Sequence, residues 1–227
     1  MDWTAILLTL RLALVVCLIL LAVGLPIAYW VAFSRWRLKF LVEAVVALPL
    51  VMPPTVLGFY VLLAMGPRSP LGRFYQTSTG HTLPFTFTGL ALASVLYSLP
   101  FMVQPIASSF ASVDRRLIAA SSVLGAGKLR TFFRVVLPLS IGGLITGIVL
   151  SFAHTLGEFG VVLMVGGNIP GVTRTVSISI YDSVQALNYS AASQTSLVLL
   201  VFSLLVLSIV YGMNRRVWTA WQPKVSK

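Results

Sequence analysis

Charge is scarce in this chain of 227 residues, and negative charge scarcest: five Asp and Glu stand against sixteen Lys and Arg, with charged residues only 9% of the whole. Soluble domains carry about a quarter, so a water-facing globule is excluded. Cysteine is limited to Cys17, which permits no intrachain disulfide and, set in an apolar stretch, reads as packing. The two histidines, His81 and His154, are not at metal-ligand spacing with each other or with Cys17. The few carboxylates are scattered, so no catalytic constellation is assembled. Strict apolar–polar alternation over about ten residues is also missing, which excludes a membrane barrel.

What the chain has is apolar length. Stretches free of Asp, Glu, Lys and Arg run from Leu12 to Ser34, Ala44 to Pro67, Phe74 to Val113, Val135 to Gly157 and Ser183 to Asn214. A bilayer core of about 30 Å takes roughly 20 apolar residues in helix, and lipid offers unpaired backbone groups no partner. The expectation is an all-α membrane domain occupying residues 1–227, with five spans near 7–33, 40–65, 86–110, 138–161 and 192–213. The first span is too long for a secretory signal and lacks a small-residue cleavage site, so it reads as retained.

The cations follow a topology rather than a nucleic-acid patch. Arg35, Arg37 and Lys39 follow span one; Arg115, Arg116, Lys128, Arg130 and Arg134 lie between spans three and four; Arg215, Arg216, Lys224 and Lys227 form the tail. Opposite them are only Arg68, Arg73 and Arg174, with Arg11 early in span one. Positive charge collects on the cytoplasmic side, placing the N-terminus outside and the tail inside. The outer loop from Gly66 to Phe85 is rich in turn formers, and the second, from Gly166 to Ser193, is expected to hold a short helix at Val176–Leu187.

The inner loop, residues 111–137, contains Leu124-Gly125-Ala126-Gly127-Lys128, which suggests a phosphate-binding loop. That loop requires G-x-x-x-x-G-K-[ST]; here Ser122 replaces the first Gly and Leu129 the final hydroxyl. A strand-to-helix setting is missing too. The composition predicts instead a short helix over 119–124, a glycine turn, and a second helix over 129–137.

The same stretch resembles the cytoplasmic loop of ABC importer permeases, whose pattern is E-A-A, three residues, Gly, nine residues, Ile, one residue, Leu-Pro. Its positions fall on Ala119, Ala120, Ser121, Gly125, Val135, Leu137 and Pro138, with Ala119, Ser121 and Val135 departing from the pattern. The stretches Leu48–Gly66 and Leu156–Tyr181 are similar to those of molybdate permeases of the ModB type, and the likeness runs from about Trp3 to Arg216. The resemblance implies a type I ABC importer permease in the bacterial inner membrane. It also implies a homodimer, two cytoplasmic ATPase subunits that use ATP and Mg, and an external oxyanion-binding protein; the permease itself holds no cofactor. The loop then docks on an ATPase. Tungstate or sulfate are the alternative substrates, and a small channel independent of any ATPase is the rival class.

Some polar and helix-breaking residues within the spans invite a transport role. Pro53 and Pro54 interrupt span two, and a broken helix at membrane depth is buried in protein or lines a cavity; a tolerated kink is the alternative. Ser94 and Ser98 share a helix face, as do Ser151, Thr155 and Glu158, with His154 alongside. If these faces met across a dimer axis they would form a hydroxyl-lined route; each hydroxyl alone also suits a structural bond. Glu158 would repel an anion and reads as structural, accepting hydrogen bonds or paired with a cation such as Arg174 or Arg11; Arg174 otherwise has the better claim to meet substrate or binding protein. Gly143 and Gly147 form a G-x-x-x-G step for close helix contact. A reporter fused after Lys227 is expected to be active on the cytoplasmic face; activity on the opposite face would reverse the orientation.

Overall fold

The computed structural model describes residues 2–220, except the side chains of 209–211 and 213–220. Among the described residues every regular element is helical. We number them α1 Trp3–Phe33, α2 Lys39–Val51, α3 Pro54–Met65, α4 Pro70–Thr79, α5 Phe87–Ala111, α6 Arg115–Val123, α7 Lys128–Leu139, α8 Ile141–Gly157, α9 Gly160–Gly166, α10 Val176–Gln185 and α11 Tyr189–Ala220.

Helices α1, α5 and the Tyr189–Ser208 part of α11 are each long and apolar enough to cross a membrane alone. The remaining two expected spans are bent pairs: α2 and α3 meet at 115°, α7 and α8 at 73°. The spans near 40–65 and 138–161 are therefore not continuous rods. Pro53 and Pro54 lack the N–H groups that would carry α2 onward, so α2 ends at Val51 and α3 starts afresh with Pro54 in its first turn. In the second pair the chain turns at Ser140, and α8 stops at Gly157. Ahead of that bend Phe132–Val136 form a wider, π-helical turn; Pro138, which cannot bond the Arg134 carbonyl, lies immediately after it.

The loop from Gly66 to Phe85 is more ordered than its composition suggested. Ser69 accepts a bond from Gly72 N (2.8 Å), Pro70 opens α4, and Gly80 closes it in the left-handed conformation at φ 75°. Those are ordinary helix start and stop signals. The short helix expected at Val176–Leu187 is α10, and it is tied to α1: Val176 N donates to Thr9 Oγ1 at 2.8 Å.

The core lies between α1, α5 and α8, around the fully buried Leu12, Leu20, Met102, Ile106 and Phe110. Cys17 is buried there, its thiol directed at the Ile148 carbonyl (3.6 Å). Close packing of α8 on α5 depends on the glycine step. A Cβ on Gly143 would collide with Ser109 Cβ and approach the Pro105 carbonyl to 2.8 Å; one on Gly147 would come within 3.0 Å of the Met102 carbonyl. Nearby, the hydroxyls of Ser109 and Ser140 each donate to the other residue's carbonyl, at 3.4 and 3.3 Å, and pin the bend before α8 to the end of α5. Gly143→Val is expected to destabilise the protein by about 1–3 kcal/mol through overpacking, seen as a lower apparent melting temperature in detergent. Gly157→Ala, with nothing within 4 Å of the added methyl, should leave it unchanged.

Candidate functional site

Two regions combine polar chemistry with accessible surface, one at each end of the α7–α8 pair. The first is the inner loop. Asp114 caps α6, its Oδ1 accepting from Arg116 N at 2.8 Å. The helix ends in a paired-bond stop: Gly125 N donates to the Ser122 carbonyl and Ala126 N to the Ser121 carbonyl, both at 3.1 Å. Gly125 itself takes φ 76°, a conformation that costs other residues. Its small size thus serves the turn, with open space around it. Ser121 is also used within the chain, its hydroxyl 2.9 Å from that of Thr131, which holds α6 against α7.

Ala119, Ala120 and Gly125 are exposed, Ser121, Val135 and Leu137 half-buried, and Pro138 exposed where the chain re-enters the apolar layer. Beside them stand Val123 and Leu124, 87% and 86% exposed. A groove of about 370 Å³ runs between α6 and α7, bordered by Ala120, Ser121, Leu124 and Val135 and flanked by Arg130 and Arg134. Large apolar side chains left this bare are the kind of surface that marks interaction sites.

The second region lies at the breaks. The start of α9 packs on the start of α3: a Cβ on Gly160 would touch Pro54, and one on Gly58 would touch Met164. Between them opens a cavity of about 570 Å³ whose polar lining is Thr55, Tyr97, His154 and Glu158. Pro54 lines it and Pro53 is the N-cap of α3.

Ser94, Ser98, Ser151 and Thr155 are all buried, and the two faces meet inside one chain instead of across a two-fold axis. Ser98 Oγ lies 2.9 Å from His154 Nδ1 and 3.1 Å from Thr155 Oγ1, which in turn donates to the Ser151 carbonyl at 2.9 Å. The imidazole stacks on Phe101, ring centroids 4.0 Å apart. The Ser151 hydroxyl is buried without a hydrogen-bond partner, and the Ser94 hydroxyl and the Glu158 carboxyl, both buried, face each other.

The pairing expected for Glu158 is not made. Arg174 bridges Asp182 at 3.5 Å, and its Nε donates to Asn168 Oδ1 at 2.6 Å; Asp182 lies nearly two turns into α10, in the same segment of the chain as Arg174. Arg11 lies over the Phe87 ring, 4.6 Å from its centre. Thr55 and Tyr97 were not singled out from sequence. Their signal was available: Thr55 directly follows the proline pair, and Tyr97 lies beside Ser98. The tail cations Lys224 and Lys227, and the side chains of Arg215 and Arg216, fall outside the described residues.

Residues 24–219 match the family described as binding-protein-dependent transport system inner membrane component. The molybdenum transport system permease protein ModB of Azotobacter vinelandii is 53% identical over 214 residues, covering 94% of this chain and 95% of its own. ModB of Escherichia coli K12 is 34% identical over 226 residues, covering 100% and 95%. Among solved structures, a bacterial ABC transporter involved in the import of the acidic polysaccharide alginate matches with a TM-score of 0.76 at 17% identity, over 94% of this chain and 78% of that one. The inward-facing MetNI methionine ABC transporter matches at 0.72 and 17%, over 94% of both chains. With the fold shared by these transporters and the sequence shared by the permeases, the chain belongs to the binding-protein-dependent transport system inner membrane components, alongside the ModB molybdenum permeases.

Proposed function

We propose that this protein is the membrane-spanning subunit of an ATP-driven importer of molybdate, working as a homodimer with two cytoplasmic ATPase subunits and an external oxyanion-binding protein. The observation that carries the substrate is the 53% identity to the Azotobacter permease along nearly the whole chain. In this reading ATP and Mg belong to the ATPases, and the permease supplies the route and the contact that drives it. The N-terminus lies outside and the tail inside, in keeping with the cations around α6 and α7.

The contact is the α6–α7 surface. Leu124 and Val123 would enter an apolar recess of the ATPase while Arg130 and Arg134 meet its acidic rim. ATP binding changes the spacing of the two ATPases, and because α6 is held to α7 by Ser121 and Thr131, the motion passes into α7 and α8 as a rigid-body displacement. The ATP-bound and free forms must contact α6 differently, since only a difference in contact energy biases the equilibrium. Arg174, 28% exposed in its side chain and ion-paired to Asp182, belongs to the outer surface that receives the binding protein.

Two measurements test this reading. Gly125→Glu should abolish ATPase co-purification and lower molybdate uptake by at least about tenfold, equivalent to about 1.4 kcal/mol of lost coupling. Gly125→Asn, which tolerates a positive φ, should retain most activity; equal loss in both would assign the effect to the turn alone. In competition for labelled molybdate uptake, tungstate, of similar size and charge, should compete nearly as well as molybdate and the smaller sulfate poorly; dominance by sulfate would change the substrate.

A further inference from the structure

The two sides of α7 carry different chemistry. Arg130 and Arg134, four residues apart, share one side and flank the groove against α6. Lys128 and Leu129, four and three residues before Phe132, share the other. That second side faces α1 across a crevice of about 290 Å³ lined by Leu25, Pro26, Tyr29, Lys128, Leu129 and Phe132. The groove and the crevice have no lining residue in common.

The crevice is apolar except for one cation. Tyr29 and Phe132 join its two walls, their rings meeting edge to face with centroids 5.3 Å apart. Leu129 is 72% exposed. Lys128 is exposed too and has no ion-pair partner among the described residues. The carboxylates are placed elsewhere: Asp2 and Asp114 cap helices, Glu43 bridges Lys39, Asp182 bridges Arg174, and Glu158 is buried after the far end of α8.

Depth identifies the surrounding medium. Leu25 to Tyr29 lie about 6–12 Å before α1 ends at Phe33, at 1.5 Å per residue. Beyond that end come Arg35, Arg37 and Lys39, and beside it the exposed Trp30 and Trp36, ring centroids 5.9 Å apart. Tryptophan and cations together mark where a membrane helix crosses the headgroup layer. The apolar wall of the crevice is therefore level with acyl chains, and Lys128, which opens α7 from the polar loop, with headgroups.

We propose that this crevice binds an anionic phospholipid, one acyl chain lying against Leu25, Pro26 and Leu129 and the phosphodiester pairing with the Lys128 ammonium. Pockets that enclose a whole small ligand measure roughly 300–1,000 Å³. This one is smaller and suits part of a larger molecule whose remainder stays in the bilayer. A free phosphate ion would exchange its water for a single cation and an apolar wall, which is unfavourable. A zwitterionic lipid carries its own ammonium beside the phosphate and has less need of Lys128. The site requires that α1 cross the membrane and is independent of the solute carried.

A fluorescent label beside the crevice tests this. The full-length protein carrying Leu129→Cys is labelled there with bimane, the native Cys17 being buried, and placed in lipid nanodiscs. Quenching by phosphatidylglycerol brominated on its acyl chains is compared with quenching by equally brominated phosphatidylcholine at the same mole fraction. Phosphatidylglycerol should bind at least about threefold more tightly, the effect of one cation at the membrane surface. Lys128→Glu should abolish that preference. The same label at Leu200→Cys on α11, where the native side chain is 61% exposed, should show none. Equal quenching by the two lipids, or an equal preference at both labels, overturns the site. A preference that survives Lys128→Glu overturns it as well and assigns the effect to Arg35, Arg37 and Lys39. Absence of quenching by either lipid means that protein covers the crevice, and also overturns it. The comparison of the two labels needs no change at Lys128, so a misfolded Lys128 variant leaves the test intact.

Discussion

The structure depends on one constraint, that peptide groups in a lipid layer must find hydrogen-bond partners inside the protein. Unbroken helices such as α1 and α5 satisfy it locally and need only apolar side chains. Two of the places where the ladder fails, after Val51 and after Gly157, have no such freedom and are brought together. Gly160 and Gly58 allow α9 and α3 to pack without intervening side chains, so the two ends are covered by each other and by the cavity they enclose. The pocket is thus a consequence of two helix ends that meet. Its polar lining follows, since water or a polar solute must satisfy what protein does not.

At the opposite end of α7–α8 a different economy operates. The α6 turn is closed by backbone bonds at Gly125 and by the Ser121–Thr131 pair, which leaves its apolar side chains unneeded for the fold. Val123 and Leu124 are bare because the loop is complete without them. That division separates what holds the loop, its small and polar residues, from what is left free for the proposed contact, its large apolar ones.

Much of this was legible in the sequence. Apolar length gave the spans, and the spacing of Gly125, Val135, Leu137 and Pro138 marked the inner loop, because those features are local in the chain. The bends were only half legible: proline announces that α2 must stop, but the 115° turn is decided by what α3 packs against. The G-x-x-x-G step was visible while its partner, Ser109 and Pro105 of α5, was not. Glu158 shows the limit most clearly. Charge arithmetic offered it an arginine, yet Arg174 had a carboxylate within its own segment of the chain, Asp182, and took it.

The two regions are joined by α8, whose seventeen residues span about 25 Å at 1.5 Å per residue. Its N-terminal end is pinned to α5 by the Ser109–Ser140 pair and by the close approach at Gly143. At its C-terminal end His154 and Thr155 bond Ser98, again on α5. A displacement delivered at α7 therefore cannot slide α8 along α5 without breaking bonds at both ends, and the two helices must move as one body. The joints left to yield are the breaks themselves, at Met52–Pro53 and Glu158–Phe159, where no helical ladder resists rotation. Those joints border the cavity, so in the proposed importer a rigid α5–α8 pair would carry movement at α6 into a change of cavity shape, the step that alternating access requires of a membrane subunit.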